Sequence, residues 1–351
     1  MPRPMRIRRA PLWLIALVVL LRFGEAAGSL LARPFDSPFA LSLSKGERFA
    51  QGRPVTSTPP LETVQIRSNV FVIFGAGGNV TVHLGAEGAI LVDSGSATMA
   101  DKVLAAVKAI TRQPICLIIN TGADADHVGG NEALASTGVS LSPTAFNAGI
   151  RQAAVLAHEN VLLRMIAPTG QAPLFPLGMW PTETYTSQVK SMYLNDDGIQ
   201  VIRQPAAHSD GDSVVFFRRA DVIATGDILD LRQFPVIDAA KGGSIQGEID
   251  ALNRLLELAI PAMPLIYKEG RTYLVPGHGR IADHAELVEY RDMVTVIRDV
   301  IQHMIDKGMT LEQIKAANPT QGYRGRYGSD TGEWTTAMFV EAVFKDLSQR
   351  K

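Results

Sequence analysis

Asn120-Thr121-Gly122-Ala123-Asp124-Ala125-Asp126-His127-Val128-Gly129-Gly130-Asn131 is the stretch on which the reading of this chain turns. It sets three side chains able to ligate a metal, Asp124, Asp126 and His127, within four positions on a turn held by glycines. Just before it, residues 115–119 (Ile-Cys-Leu-Ile-Ile) are an apolar run of strand length. Before that, Met99, Val103, Leu104, Val107 and Ile110 recur at helical spacing. Helix, strand, polar loop is therefore the local order. It puts the donors at a strand end, where a rigid scaffold can present a functional loop.

The arrangement recurs further along. His208-Ser209-Asp210-Gly211-Asp212-Ser213 opens a set of short β-rich runs at 213–217 and 222–224, Gly226-Asp227 ends it, and Pro276-Gly277-His278-Gly279 follows a strand at 273–275. Upstream, runs at 64–66, 70–74, 80–84 and 89–92, separated by glycine turns, read as a meander of hairpins. The glycine cluster at 75–79 looks like a phosphate loop, but a strand follows it where a nucleotide fold needs a helix N-terminus, so it reads as a turn. Helical spacing returns from about Gly247 (Ile249, Leu252, Leu255, Leu256, Ile260), over 287–305, and around Phe339, Val340, Val343, Phe344 and Leu347 after a Gly-rich aromatic loop at 322–328. Strands in runs with helices outside them predict an α/β protein, a four-layer α/β/β/α sandwich over 61–351. In such a sandwich the strand ends share one edge, so His and Asp side chains far apart in sequence can meet around an ion.

Composition removes competing classes. A chain of 351 residues with 46% hydrophobic and 20% charged residues can bury a substantial core, which excludes wholesale disorder. Thirty-four basic against 35 acidic side chains leave no basic excess to attract nucleic acid. A single cysteine, Cys116, excludes an intramolecular disulfide and a Cys-only zinc site, so a metal must sit on His, Asp and Glu. At the start, Arg3, Arg6, Arg8 and Arg9 precede an apolar run at 11–21 and a small-residue stretch at 24–29. That order predicts a secretory signal over 1–28, cleaved near residues 26–28, and a periplasmic or secreted protein with no membrane attachment after removal. Residues 29–60, rich in proline, read as an extended lead-in.

Five ordered features, Asp93 in Leu91-Val92-Asp93-Ser94-Gly95, Asp126-His127 with Gly129-Gly130-Asn131, His208 before Gly211-Asp212, Gly226-Asp227, and Pro276-Gly277-His278-Gly279, make the chain resemble the metallo-β-lactamase superfamily from about residue 62 to 347. Pro235, Asp238 and Gly242-Gly243-Ser244 resemble its glyoxalase-II-like hydrolase branch. The resemblance implies a first metal site at Gly122, Asp124 and His208, and a second at Asp126, His127 and His278, with Asp227 bridging. The chain departs from the pattern at Gly122, which has no side chain where the family supplies histidine, and at Asp124, a carboxylate in place of a second histidine. An anionic donor weakens a metal's pull on bound water and shifts preference from zinc toward manganese or iron.

The function expected from the resemblance is metal-dependent hydrolysis of an ester, thioester, lactone or β-lactam, with hydroxide on the second-site metal and Asp126 orienting it. The expected cofactor is zinc, one ion with a second open, and the expected partner is a small-molecule substrate. Two other readings stay open: a mononuclear iron oxidoreductase of the same fold, and a non-catalytic metal- or ligand-binding protein with a decayed site. Among the remaining histidines, His83 in a strand and His158 and His303 in helical stretches read as structural, and His284 as the start of a helix. Asp210 and Asp212 read as turn-shaping residues, and Asp93 as a brace for the metal-site turn. The apolar segment 168–186, with Phe175, Met179, Trp180 and Tyr185, reads as a binding wall or as surface packing.

Overall fold

Residues 61–141, 152–166, 172–263 and 270–349 are described by a computed structural model; the signal read at 1–28 and the lead-in at 29–60 lie outside them. β1 (Glu62–Arg67), β2 (Val70–Ala76), β3 (Gly78–Gly85) and β4 (Gly88–Val92) are consecutive antiparallel strands. α1 (Ala100–Ile110) then crosses over to β5 (Ile115–Ile119), which pairs with β4 in parallel. Two short helices, α2 (Ala125–Val128) and α3 (Asn131–Ser136), precede β6 (Ala154–His158), α4 (Glu159–Met165) and β7 (Glu183–Tyr185), which complete a seven-stranded sheet in sequential order. The second sheet starts with β8 (Val189–Leu194), β9 (Asp197–Arg203), β10 (Ser213–Phe217) and β11 (Val222–Asp230). α5 (Ile245–Leu258) crosses to β12 (Tyr273–His278), parallel to β11, giving the order β12-β11-β10-β9-β8. α6 (His284–Asp306), α7 (Leu311–Ala317), α8 (Arg324–Tyr327) and α9 (Thr336–Gln349) end the described chain.

Strand alternation builds the layers. On β4, Ile90 and Val92 face the second sheet, while Ala89 and Leu91 face α1. On β11 and β12, Val222, Ala224 and Val275 enter the cluster between the sheets, and Ile223 and Leu274 join the cluster under α5, α6 and α9. Three cores result, helix to sheet, sheet to sheet and sheet to helix, which is the expected four-layer α/β/β/α sandwich. Because both faces of β4 and β5 are covered, every residue of each is buried, and they read as unbroken apolar runs rather than alternating ones. α6 buries Leu287, Tyr290, Val294, Ile297 and Ile301 on one stripe; each such side chain contributes about 1.5–3 kcal/mol. Its start is fixed by a capping box between Asp283 and Glu286, worth about 1 kcal/mol.

The structure differs from the sequence reading at several elements. His158 lies not in a helix but at the end of β6, where its ring accepts from the Asn160 amide as the N-cap of α4. β6, β7 and the β8–β9 hairpin add strands that the apolar pattern did not announce. The aromatic loop at 322–328 contains α8, whose Tyr327 is buried against Phe234 and Tyr290. His284 does begin α6. Cys116 is buried and donates to the Ala89 carbonyl, and burial pushes its thiol up to about 12.

Candidate metal centre

Five of the candidate ligands stand at or just beyond a strand end; the sixth, Asp227, was read as ending its strand but lies inside β11, which runs on to Asp230. Asp124 stands at the N-cap of α2 in extended backbone and makes no capping bond, which leaves its carboxylate for other partners. Asp126 and His127 follow on the single turn of α2. His208 lies in the turn between β9 and β10. Asp227 sits within β11, just after Gly226, whose φ of 55° bends the strand in a region that favours glycine. A side chain there would also collide with Thr121, 2.5 Å from where its Cβ would lie. His278 ends β12 beside Gly277, where a Cβ would come within 2.7 Å of Asp227 Oδ1, so only glycine lets the two strand ends approach.

The six residues expected at the site do come together. His127 Nε2 is 3.1 Å from Asp227 Oδ1, and His278 Nε2 is 3.4 Å from the same oxygen and 3.2 Å from Asp126 Oδ2. His208 Nε2 is 2.8 Å from Asp124 Oδ2 and 4.0 Å from Asp227 Oδ2. Two triplets thus form, Asp126 with His127 and His278, and Asp124 with His208 and Asp227, the donor atoms of each lying within 4.8 Å of one another. Asp227 directs one oxygen toward each triplet. Gly122 supplies no donor; the place a Cβ would take has only Asp212 Oδ1 near it, at 4.0 Å.

The imidazoles are held from behind. His127 donates from Nδ1 to Asp93 Oδ2 at 2.7 Å, and Asp93 also accepts from the Thr121 amide (2.8 Å) and hydroxyl (2.7 Å). His208 donates from Nδ1 to the Val236 carbonyl at 2.9 Å. Both rings therefore turn Nε2 toward the carboxylates, the tautomer and orientation that metal-ligating histidines require. Two imidazoles with carboxylate oxygens suit zinc, iron or manganese, so the Asp126 triplet fits a divalent ion.

Mutual attraction sets the ionisation of the protein groups. Burial opposes charge on His278 and His208, yet Asp126 and Asp227 carry His278 up to about 9, and Asp124 with Asp227 carries His208 up to about 10. His127 is raised well above the usual histidine value against its own burial by Asp227 and Asp93. Burial works to raise Asp124, but His208 and Lys241 bring it down to about 2, and the three histidines hold Asp227 well below the usual carboxylate range.

Other residues take the parts their surroundings dictate. Asp212 accepts from the Ser209 amide and hydroxyl and shapes the turn that presents His208; burial pushes it up to about 6. Asp210 pairs with Arg164. His83 stacks on Phe217, away from the site. The sequence reading did not single out Lys241, which ends a short 3-10 turn and places its ammonium 2.6 Å from Asp124 Oδ1 and 3.1 Å from Asp238 Oδ2. Nor did it single out the Val236 carbonyl behind His208 or the Thr121 clamp on Asp93. The triplets open into a cavity of about 710 Å³ whose wall includes Ala97, Phe175, Pro176, Met179 and Val236. Phe175 and Met179 belong to the apolar segment read as a wall or surface packing; residues 167–171 lie outside the described chain. Trp180 packs, with Phe175 and Met179, on the small buried cluster that includes Val128, Val161 and Met165.

A four-layer sandwich with histidine and aspartate donors converging at one edge has the donor set of a divalent metal centre. Residues 73–139 match the family model for the metallo-beta-lactamase superfamily, and the two-sheet α/β architecture is the fold of that superfamily. A metallo-beta-lactamase from Pontibacter korlensis is similar in structure, with a TM-score of 0.50 and 18% identity over 67% of this chain and 99% of that one. A stereoselective inverting sec-alkylsulfatase, Pisa1, from Pseudomonas sp. gives a TM-score of 0.56 at 15% identity over 81% of this chain, and a double mutant of that sulfatase gives 0.57 over 83%. The matched region spans 50% of the sulfatase's length. At these identities the likeness is one of fold. No curated protein sequence gives a significant match.

Proposed function

We propose that the protein is an exported hydrolase of the glyoxalase-II-like branch that opens an ester, thioester, lactone or β-lactam bond in a partly apolar small molecule. It uses a divalent ion, zinc first and manganese or iron as alternatives, at Asp126, His127, His278 and Asp227. The observation that carries this reading is the meeting of two imidazole Nε2 atoms with two carboxylates at the floor of an apolar-walled cavity. An ion held there supplies Lewis acidity and an activated water near neutral pH. The chain's own groups do the rest. Asp126, partly exposed on the floor, accepts a hydrogen of the attacking water and orients it. The Asp93 and Val236 acceptors hold His127 and His208 in place, so the rings need not reorganise during the reaction. Phe175, Pro176 and Met179 receive the apolar part of the substrate and keep bulk water from the floor. The branch assignment rests on Pro235, Asp238 and Gly242-Gly243-Ser244 in the sequence. Export rests on the arginines and apolar run of residues 3–21.

The test is elemental analysis of natively purified protein together with initial rates on esters, thioesters, lactones and β-lactams, with alkyl sulfates added because a sulfatase shares the fold. Asp126→Ala and His278→Ala are each expected to lose tight metal binding and turnover. Unchanged metal content in both variants refutes the ligand assignment. Bound metal without turnover on any substrate leaves a non-catalytic binding protein, and iron with oxygen uptake leaves an oxidoreductase.

A further inference from the structure

The Asp124 triplet fits a second metal ion poorly. It offers three donors, and two are already shared: Asp227 with the neighbouring triplet, and Asp124 with Lys241. Both Asp124 oxygens are engaged, Oδ2 by His208 Nε2 at 2.8 Å and Oδ1 by the Lys241 ammonium at 2.6 Å. Gly122 adds nothing. A dication bound between Asp124, His208 and Asp227 would face the ammonium across one carboxylate, close enough for the two positive charges to repel although both side chains are part-exposed.

Lys241 is not a loosely placed surface lysine. Its amide donates to the Asp238 carbonyl (3.0 Å) and to Asp238 Oδ1 (3.1 Å), and its carbonyl accepts from the Asp210 amide (2.9 Å). Gly242 turns the chain immediately afterwards at a φ of 82°. Its ammonium meets Asp238 as well as Asp124, and the Asp238 amide donates to the carbonyl of His208. Lys241, Asp124, His208 and Asp238 therefore close a ring of polar contacts that the backbone of the 236–243 turn holds in place.

We propose that the Lys241 ammonium, fixed on the outer oxygen of Asp124, is a built-in cation that keeps a second metal ion out of the Asp124 triplet, so that the centre carries one ion, in the Asp126 triplet, and one fixed positive charge. The inference rests on the metal-dependent reading above and adds its stoichiometry and the reason for it. The test is zinc content per chain, by elemental analysis after saturation with Zn²⁺ and desalting, for the full-length protein, Lys241→Met and Lys241→Arg. The expected result is one ion in the unaltered protein, one in Lys241→Arg, which keeps the charge, and two in Lys241→Met, which keeps the length and removes it. Two ions in the unaltered protein overturn the inference while leaving the hydrolase reading intact, and that measurement needs no variant to fold. One ion in Lys241→Met, shown to be folded by circular dichroism, overturns it too, because the charge is then not what excludes the second ion. No ion in the unaltered protein defeats the metal-dependent reading itself.

Discussion

Replacing Asp93 by asparagine isolates the orientation of one imidazole from the number of ligands. Asp93 is 2% exposed, sits at a φ of 61°, and accepts three hydrogen bonds, from the Thr121 amide and hydroxyl and from His127 Nδ1. Asparagine has the same shape and tolerates that backbone region, so the turn itself should survive. One asparagine oxygen can still accept from the Thr121 amide, and the hydroxyl can rotate to accept from the new NH₂ group. His127 cannot adapt so easily. Its Nδ1–H now faces a donor, which favours moving the hydrogen to Nε2, the nitrogen that points at Asp227 and the proposed ion. Loss of such an orienting partner typically costs 10–100-fold in metal affinity, or about 1.4–2.7 kcal/mol. Competition titration against a chromophoric chelator at constant pH measures this directly, and ¹⁵N shifts of the His127 ring report the tautomer. A folded Asp93→Asn protein whose zinc affinity lies within about threefold of the parent's, against the tenfold minimum expected, would refute the claim that Asp93 orients a ligand.

Three further outcomes are expected. Gly226→Ala combines a left-handed conformation, about 1–2 kcal/mol, with a 2.5 Å approach to Thr121 Oγ1, about 1–3 kcal/mol of overpacking; chemical denaturation should show a loss of about 2–5 kcal/mol. In metal-free protein, His278 is raised from 6.5 to about 9, so its stabilising contribution is fully present below pH 6.5 and is lost as pH rises through about 9. Asp124, lowered from 3.8 to about 2, contributes above pH 3.8 and loses that contribution as pH falls through about 2; denaturation midpoints across pH follow both limbs, and zinc binding at neutral pH should release protons from His127 and His278. Phe175→Ala should raise KM for substrates with long apolar groups by several-fold, from about 1–2 kcal/mol of lost apolar contact, with kcat little changed; an equal fall in kcat would place Phe175 in the chemistry instead.

How much of this was legible in the sequence depended on whether a residue's role was written in its neighbours. Strands β1 to β5 and β10 to β12 declared themselves through short β-rich runs separated by turns, five of the donors through their place after such runs, and His208 through its place just before β10. β8 hid because it is an edge strand whose residues are exposed or half-buried, leaving no apolar alternation to read. The hairpin had a different signal, Asn195-Asp196, both at positive φ (55° and 57°), the pair of left-handed turn residues a tight β-hairpin requires. His158 misled because a five-residue parallel strand runs directly into a helix, and the combined stretch 153–165 is apolar enough to read as helix throughout. Lys241 carried no local signal at all. It lies 117 positions from Asp124, and only the folding of the 236–243 turn onto His208 brings the two together.

Gly277 lies so close to the Gly226 backbone that two adjacent parallel strands bring the side chains of Asp227 and His278 together, and the floor of the cavity is built on the sheet itself. The wall is made differently, from the 172–180 segment and the turn after β11, which answer to few of the same constraints. Selection, or an engineer, could thus exchange the wall and retune substrate preference while the chemistry below is inherited unchanged.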